Sequence, residues 1–585
     1  MKGLIVLMAC VGLISPLTSA AQAPLRITQM QRCGNVLASD EQQWCLQVSG
    51  LGNQRPTVWL GDKALAPEAV QLKDESVQLR VSKRDHVSAS LWLELAGRRS
   101  NPVWLSVSNS HVVAARPDEV ARNMDGLVTY VNLVSLLIEE QHDGLVEAQR
   151  LAEKYGAKVV GAIPALNTYQ LRIPAHDLIQ RDALLLRMGS EVSVDAVIIE
   201  ESAPERGEET AADNTRPSAG GNEWTANRFM DAVYYYRKRI PAVEAPIKVQ
   251  QVRVGIIERD VDFDSPDFAA YRGGCKAGAG KMCVFARDSS KPDNHGSSVA
   301  GIIAAGWQAG GNRGFLSGLD AASPGFEVIV ERSSDAGITA NIAASVNLVE
   351  DGVRVLNWSW GVHRVGTRSI EGDEIESLVR SGLAISGYEE LLEEFFLWLR
   401  AEHPDVIVVN SAGNGSSRSG DDEYRLPSSF VTDQLLVVGA HQRSGQDVRR
   451  DDPDYVIKRG SSNIGKRVDI SAAACAHAST AEVGKPGALH CGTSFATPLV
   501  TAVVAAMLSI DPALTPQQVR MLLRRSAMTL GPRQDFEAMD GEDLTAPILP
   551  SERNSQLDHA DLGRSARLDM QKALELTIQG SGRVR

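Results

Sequence analysis

Five short apolar segments, Val252–Ile257, Glu327–Val330, Val353–Trp358, Val406–Asn410 and Leu435–Val438, punctuate the second half of this chain, with helical patterns between them. Strands that are apolar on both faces must be covered on both faces, and strands joined through helices run parallel. Residues 224–580 are therefore expected to form an α/β domain with a mostly parallel sheet flanked by helices. At 585 residues the chain exceeds a single ordinary core, so further domains are expected.

Upstream the pattern changes twice. Residues 24–110 carry short alternating segments, Thr57–Leu60, Val77–Val81, Leu91–Leu95 and Val103–Val107, separated by turns such as Gly61-Asp62 and Gly97-Arg98. This alternation predicts a small β-sandwich similar to immunoglobulin-like modules, which carry no chemistry by themselves. Residues 111–201 read strand–helix–strand–strand–helix–strand: Leu127–Ile138, Leu145–Tyr155, Lys158–Ala162, Thr168–Arg172, His176–Met188 and Val192–Ile199. Residues 202–223 lack periodicity, are rich in Ala, Glu, Gly, Ser and Pro, and read as an exposed linker.

The first 23 residues have the layout of a signal peptide. Lys2 precedes an apolar stretch from Gly3 to Leu17, followed by small residues at Thr18-Ser19-Ala20 and Ala21-Gln22-Ala23. A secreted or periplasmic location is expected. No later segment reads as apolar enough for a stable membrane span. Setting Cys10 aside leaves Cys33, Cys45, Cys275, Cys283, Cys475 and Cys491, three close pairs. In an oxidising compartment, bridges 33–45, 275–283 and 475–491 are the simplest connectivity, although sequence alone does not fix it. No pair has zinc-knuckle spacing, but His477 and His490 flank the last pair and keep zinc open there. The formal charge of −13 is spread along the chain, which argues against a nucleic-acid or anionic-membrane surface.

Four motifs in the large domain carry chemistry. Gly492-Thr493-Ser494-Phe495-Ala496-Thr497-Pro498 precedes the apolar helix Leu499–Ile510. A serine at a helix start has its N–H at the positive end of the dipole, where it can stabilise an oxyanion while its Oγ attacks. A plain Ser/Thr helix cap would also fit this position, but not the whole seven-residue run. That run resembles the active-serine motif of the subtilisin-like serine proteases, the subtilases. Asn294-His295-Gly296-Ser297-Ser298-Val299-Ala300-Gly301 resembles the family's histidine motif, with His295 retained as general base and Ser298 where a second histidine usually stands. Val408 through Asn414 ends in Ala-Gly-Asn, and the resemblance gives Asn414 to the oxyanion hole. Val355-Leu356-Asn357-Trp358-Ser359-Trp360-Gly361 resembles the strand that pairs with substrate near the S1 pocket. Ser359, Trp360 and Gly361 are thus expected to bind substrate. Trp360 stands where a smaller aliphatic residue is usual, implying a reshaped subsite; Trp358 fits a core strand equally well.

The acid departs from the family pattern. Aligning the strand Val254–Ile257 and the Ser265-Pro266-Asp267-Phe268 tail without a gap puts Glu258 on the catalytic aspartate, with Asp260 and Asp262 as substitutes if the register slips. Asp260 stands where glycine is usual, and aspartate is among the non-glycine residues that best tolerate a left-handed backbone. The order acid, His, Ser is that of subtilisin.

The same resemblance makes residues 111–201 a ferredoxin-like propeptide domain and intramolecular inhibitor. It implies a serine endopeptidase that cleaves protein or peptide substrates through an acyl-enzyme, with no cofactor in the chemistry. Calcium commonly accompanies this fold, but no acidic loop is distinctive enough to name ligands. Two competitors remain: a catalytically impaired subtilisin-like fold acting as a binding protein, motivated by Glu258, and an acid-active carboxyl peptidase of related fold. The latter needs carboxylates where His295 and Asn414 stand. The glycine-rich Gly274–Lys281 stretch is not a phosphate loop, because its spacing is off by one and Met282 replaces Ser/Thr.

Overall fold

The computed structural model describes residues 23–33, 41–73, 76–202, 223–239, 251–273, 282–288, 294–307, 312–319, 325–331, 337–369, 371–375, 379–417, 425–465, 467–479, 486–530 and 565–581. Apart from their end residues, the signal-peptide region 1–23, the linker 202–223 and the glycine-rich stretch 274–281 lie outside the described residues.

The large domain is built on a ten-stranded sheet. Its spatial order runs Cys283–Phe285, Phe326–Glu331, Val252–Ile257, Val355–Trp358, Ile407–Ser411, Leu435–Arg443, Ile470–Ala473, Ser565–Arg567 and Met528–Leu530, with Val456–Lys458 paired to Leu435–Arg443. Neighbours from Cys283–Phe285 through Ile470–Ala473 are parallel. Their side chains are almost all buried, as a sheet covered on both faces requires. Chain order reverses around Val252–Ile257, so the loops at the carboxyl ends of the central strands part and leave room for a site.

The helix Thr493–Ile510 runs through the core against five of these strands, and every residue in it except Ser494 is buried. Contrary to the sequence expectation, it is long and apolar enough to cross a bilayer. Its 94% burial makes it instead the central core helix.

Residues upstream form two smaller units. The first has two antiparallel sheets sharing one core, in which Leu46, Val77, Leu79, Leu91 and Leu93 are fully enclosed. Cys33 and Cys45 are bonded across its first two strands. This unit covers the outermost strand of the large sheet. Ala286 N–H donates to the Pro102 carbonyl (2.9 Å), Asn101 Nδ2 to the Ala286 carbonyl (2.9 Å), and the Trp104 indole to Asp351 (2.8 Å). An open sheet edge is thereby closed off.

The second unit is an antiparallel sheet of Val120–Arg122, Val128–Ile138, Thr168–Arg172, Lys158–Ile163 and Val194–Ser202. Two helices accompany it, Gly144–Tyr155 and Leu178–Met188, whose first turns are capped by the Asp143 and Asp177 carboxylates. Its last strand packs against the helices Gly337–Glu350 and Gly382–Glu402 of the large domain. There Glu200 accepts from the N–H groups of Ile338 (3.1 Å) and Thr339 (2.9 Å) and from the Tyr388 hydroxyl (2.9 Å). Glu201 accepts from Ser381 N–H and Oγ, both at 2.8 Å. Two consecutive carboxylates thus satisfy the orphan donors at two helix starts.

Candidate active site

Strand Val252–Ile257 ends at Glu258, which is 6% exposed. Facing it, His295 sits in the first turn of the helix Asn294–Ala304, and its Nδ1 lies 3.0 Å from Glu258 Oε2. The acid side chain is 7% exposed and the imidazole 42%, so the carboxylate is enclosed in protein while the ring is partly accessible. A carboxylate beside Nδ1 favours the tautomer that carries its proton there and its lone pair on Nε2. The two sequence alternatives are engaged elsewhere: Asp260 pairs with Arg287 (3.5 Å) and Asp262 accepts from the Asp264 N–H (2.9 Å). Asp260 does not adopt the left-handed conformation that its position suggested.

The histidine helix packs against the serine helix, and the His295 and Phe495 rings stand 5.3 Å apart. Before Ser494, the strands Cys475–Ser479 and Pro486–Cys491 form a hairpin closed by the Cys475–Cys491 bond. That bond removes the zinc alternative considered for this cysteine pair. Cys283 is disulfide-bonded too, while Cys275 lies outside the described residues. Among the described residues no group of three or more His, Cys, Asp or Glu is arranged to hold a metal.

Gly492 allows the hairpin to pass Asn414 closely, because a Cβ at residue 492 would lie 2.9 Å from Asn414 Nδ2. Asn414 Oδ1 accepts from Thr493 N–H (2.9 Å) and Thr493 Oγ1 (3.0 Å). With its oxygen held by two donors, the amide presents Nδ2 towards Gly492 and the serine turn. Ser494 is the second residue of the helix, where the backbone N–H has no intrahelical acceptor. Thr493 is a contributor the motif reading missed; its place inside the serine motif was the available signal.

Pro498 supplies another. Lacking an N–H, it cannot bond the Ser494 carbonyl four residues back. Ser359 Oγ donates to that carbonyl instead (2.8 Å), while Ser494 Oγ donates to the Ser359 carbonyl (3.2 Å). Asn357 Nδ2 donates to Ser359 Oγ (2.9 Å), and Thr501 Oγ1 to Asn357 Oδ1 (2.9 Å). The segment expected to bind substrate is thus bonded directly to the serine. Within it Trp358 is fully buried against Phe395 and Phe396, a core residue. Trp360 packs on Trp358 with ring centroids 5.0 Å apart. Gly361 lies against the Arg425 guanidinium, a neighbour that nothing in the sequence announced.

The geometry brings Glu258 to His295, and Asn414 and Ser359 to the Ser494 turn. A family model described as "Subtilase family" matches residues 250–562, a span containing all of them. The chain belongs to the subtilase family. Among curated subtilases it is 27% identical to subtilisin NAT of Bacillus subtilis subsp. natto over 281 residues, 48% of this chain and 61% of that protein. A probable subtilase-type serine protease of Deinococcus radiodurans is 23% identical over 456 residues, 72% of this chain and 56% of that one. The chain thus spans less than two thirds of either relative. The crystal structure of fervidolysin from Fervidobacterium pennivorans, related to subtilisin, aligns at 16% identity with a TM-score of 0.45, covering 80% of this chain and 65% of that one.

Proposed function

We propose that this subtilase is an exported serine endopeptidase that cleaves protein or peptide substrates through an acyl-enzyme. Ser494 Oγ turns from the Ser359 carbonyl towards His295, gives up its proton to the imidazole and attacks the scissile carbonyl. Glu258 stabilises the imidazolium, and Asn414 Nδ2 with the Ser494 N–H receives the oxyanion. His295 then hands its proton to the leaving amine, and water repeats the sequence to release the acid. Residues 111–201 serve as propeptide, docked through Glu200 and Glu201 until the 202–223 linker is cut, and residues 1–23 direct export.

The observation that carries this reading is the 3.0 Å contact between His295 Nδ1 and the buried Glu258 carboxylate, on a helix packed against that of Ser494. A glutamate completes the pair where the family motif has aspartate, so the departure at 258 is a replacement of the acid. The test compares wild type, Ser494→Ala and His295→Ala for hydrolysis of a denatured protein substrate and for self-cleavage. Both variants are expected to be inactive and unprocessed while retaining the wild-type circular dichroism. Processing of Ser494→Ala expressed alone would contradict the reading.

A further inference from the structure

We propose that Arg425 makes this enzyme selective for an acidic residue, glutamate or aspartate, on the amino side of the scissile bond. The inference rests on the reading of Ser494 as nucleophile. It begins with a buried cation that has no carboxylate partner among the described residues.

Arg425 is 4% exposed and pairs across two short antiparallel strands with His363, itself 4% exposed. Its Nη1 donates to the Ser411 carbonyl and lies within 3.3 Å of Ser428 Oγ; its Nη2 donates to Ser411 Oγ at 3.1 Å. Asn410 Oδ1 is a longer contact at 3.4 Å. All of these acceptors are neutral, and among the described residues no carboxylate pairs with Arg425. Burial lowers the guanidinium to about 9, and burial beside this cation lowers His363 to about 3. A buried charge without a partner is costly to keep, and one partner that fits a guanidinium is a carboxylate bound through two parallel hydrogen bonds.

Position identifies where that carboxylate comes from. The guanidinium occupies the space a side chain on Gly361 would fill, two residues beyond Ser359, whose carbonyl meets Ser494 Oγ. It also lies against Gly413, the residue before Asn414: a Cβ there would be 2.6 Å from Arg425 Cδ and 2.7 Å from its Nε. The cation therefore sits between the two segments that would hold the scissile carbonyl. Two residues of extended chain span at most about 7 Å, within reach of a glutamate side chain whose carbonyl is poised at Ser494. Glycine at both 361 and 413 keeps Cβ atoms out of the path.

Selectivity of this kind is strong because an uncharged side chain leaves the cation unpaired. The test uses quenched peptides that differ only at the residue before the cleaved bond: Glu, Asp, Gln, Phe and Ala. They are given to the full-length protein and its processed form, with active sites counted by a fluorophosphonate. The expected result is a kcat/KM for Glu or Asp at least about 100-fold above Gln and Phe. Arg425→Gln is expected to reverse that order, and Arg425→Lys to keep a reduced acidic preference. Full fluorophosphonate labelling with Phe preferred, or with only Ala accepted, would overturn the inference while leaving the nucleophile in place; the second outcome would mean that Arg425 merely fills the pocket. Absence of labelling would sink the underlying reading and this inference together. If the variants fail to fold, the wild-type panel decides alone.

Discussion

Ser494 and Ser359 exchange hydrogen bonds reciprocally: the hydroxyl of each meets the carbonyl of the other, at 2.8 Å from Ser359 and 3.2 Å from Ser494. The exchange exists because Pro498 leaves the Ser494 carbonyl without its helical donor. Ser359→Ala is expected to leave that carbonyl and the Asn357 amide short of a partner, destabilising the protein by roughly 1–3 kcal/mol. Adding Pro498→Ala restores an N–H for the carbonyl, so the double variant should lose less than the sum of the singles. Denaturant midpoints for the four proteins of this cycle measure the coupling.

Asn414 is held by Thr493 so that its nitrogen faces the serine turn. Asn414→Leu is expected to lower kcat by about 100- to 1,000-fold with little change in KM, a magnitude taken over from subtilisin's own oxyanion asparagine. Thr493→Val should reproduce part of the loss, because it removes one of the two donors that set the amide's orientation. Single-turnover kinetics separates these effects from binding.

Glu258 reaches His295 with one methylene more than an aspartate has. Glu258→Asp retreats from the imidazole by more than 1 Å, a displacement expected to cost about 100-fold in kcat. Glu258→Ala should cost about 10,000-fold, by analogy with acid-deleted triads. If Glu258→Asp instead raises activity, the strand is not matched to glutamate.

The contact between residues 111–202 and the large domain carries a pH signature. Burial raises the Glu200 carboxyl above its ordinary 4.5. Burial, together with Asp195 and neighbouring glutamates, raises Glu390 on the helix Gly382–Glu402; burial, with Glu140 and Asp195 next, raises Glu394. A group that binds its proton more tightly when docked makes docking take up protons. Its contribution is therefore complete below the undocked value near 4.5 and is lost as pH rises through the docked value. Dissociation of the docked segment, measured after cleavage within 202–223, should be weakest in acid and increase towards neutral pH. The double variant Glu390→Gln, Glu394→Gln should flatten that profile, and an opposite slope would contradict the assignment.

Much of this was legible in the sequence where one physical requirement dominated a segment. Both-sided burial marked the parallel strands, and the serine, histidine and asparagine motifs lie at the ends of elements whose periodicity was clear. The gapless match of the strand before Glu258 and the Ser-Pro-Asp-Phe stretch after it favours Glu258 over Asp260 and Asp262, and it is the Glu258 carboxylate that stands against His295 Nδ1. What escaped depends on contacts between distant segments. Arg425 follows Asp421, Asp422 and Glu423 in the chain and reads as one more solvated charge, and only the fold carries it beneath Gly361. The helix Thr493–Ile510 matches a membrane span in composition, and only its ten-stranded surroundings make it a core. The Ser359–Ser494 exchange needed the meeting of residues 135 positions apart.

The most direct measurement is to react the protein with a fluorophosphonate and map the adduct by mass spectrometry in wild type, His295→Ala and Glu258→Ala. The predicted result is a single adduct on Ser494 in the wild type, with labelling abolished by loss of His295 and slowed by loss of Glu258. An adduct on another serine, or labelling of Ser494 at an unchanged rate without His295, would contradict the assignment of these three residues as one catalytic unit.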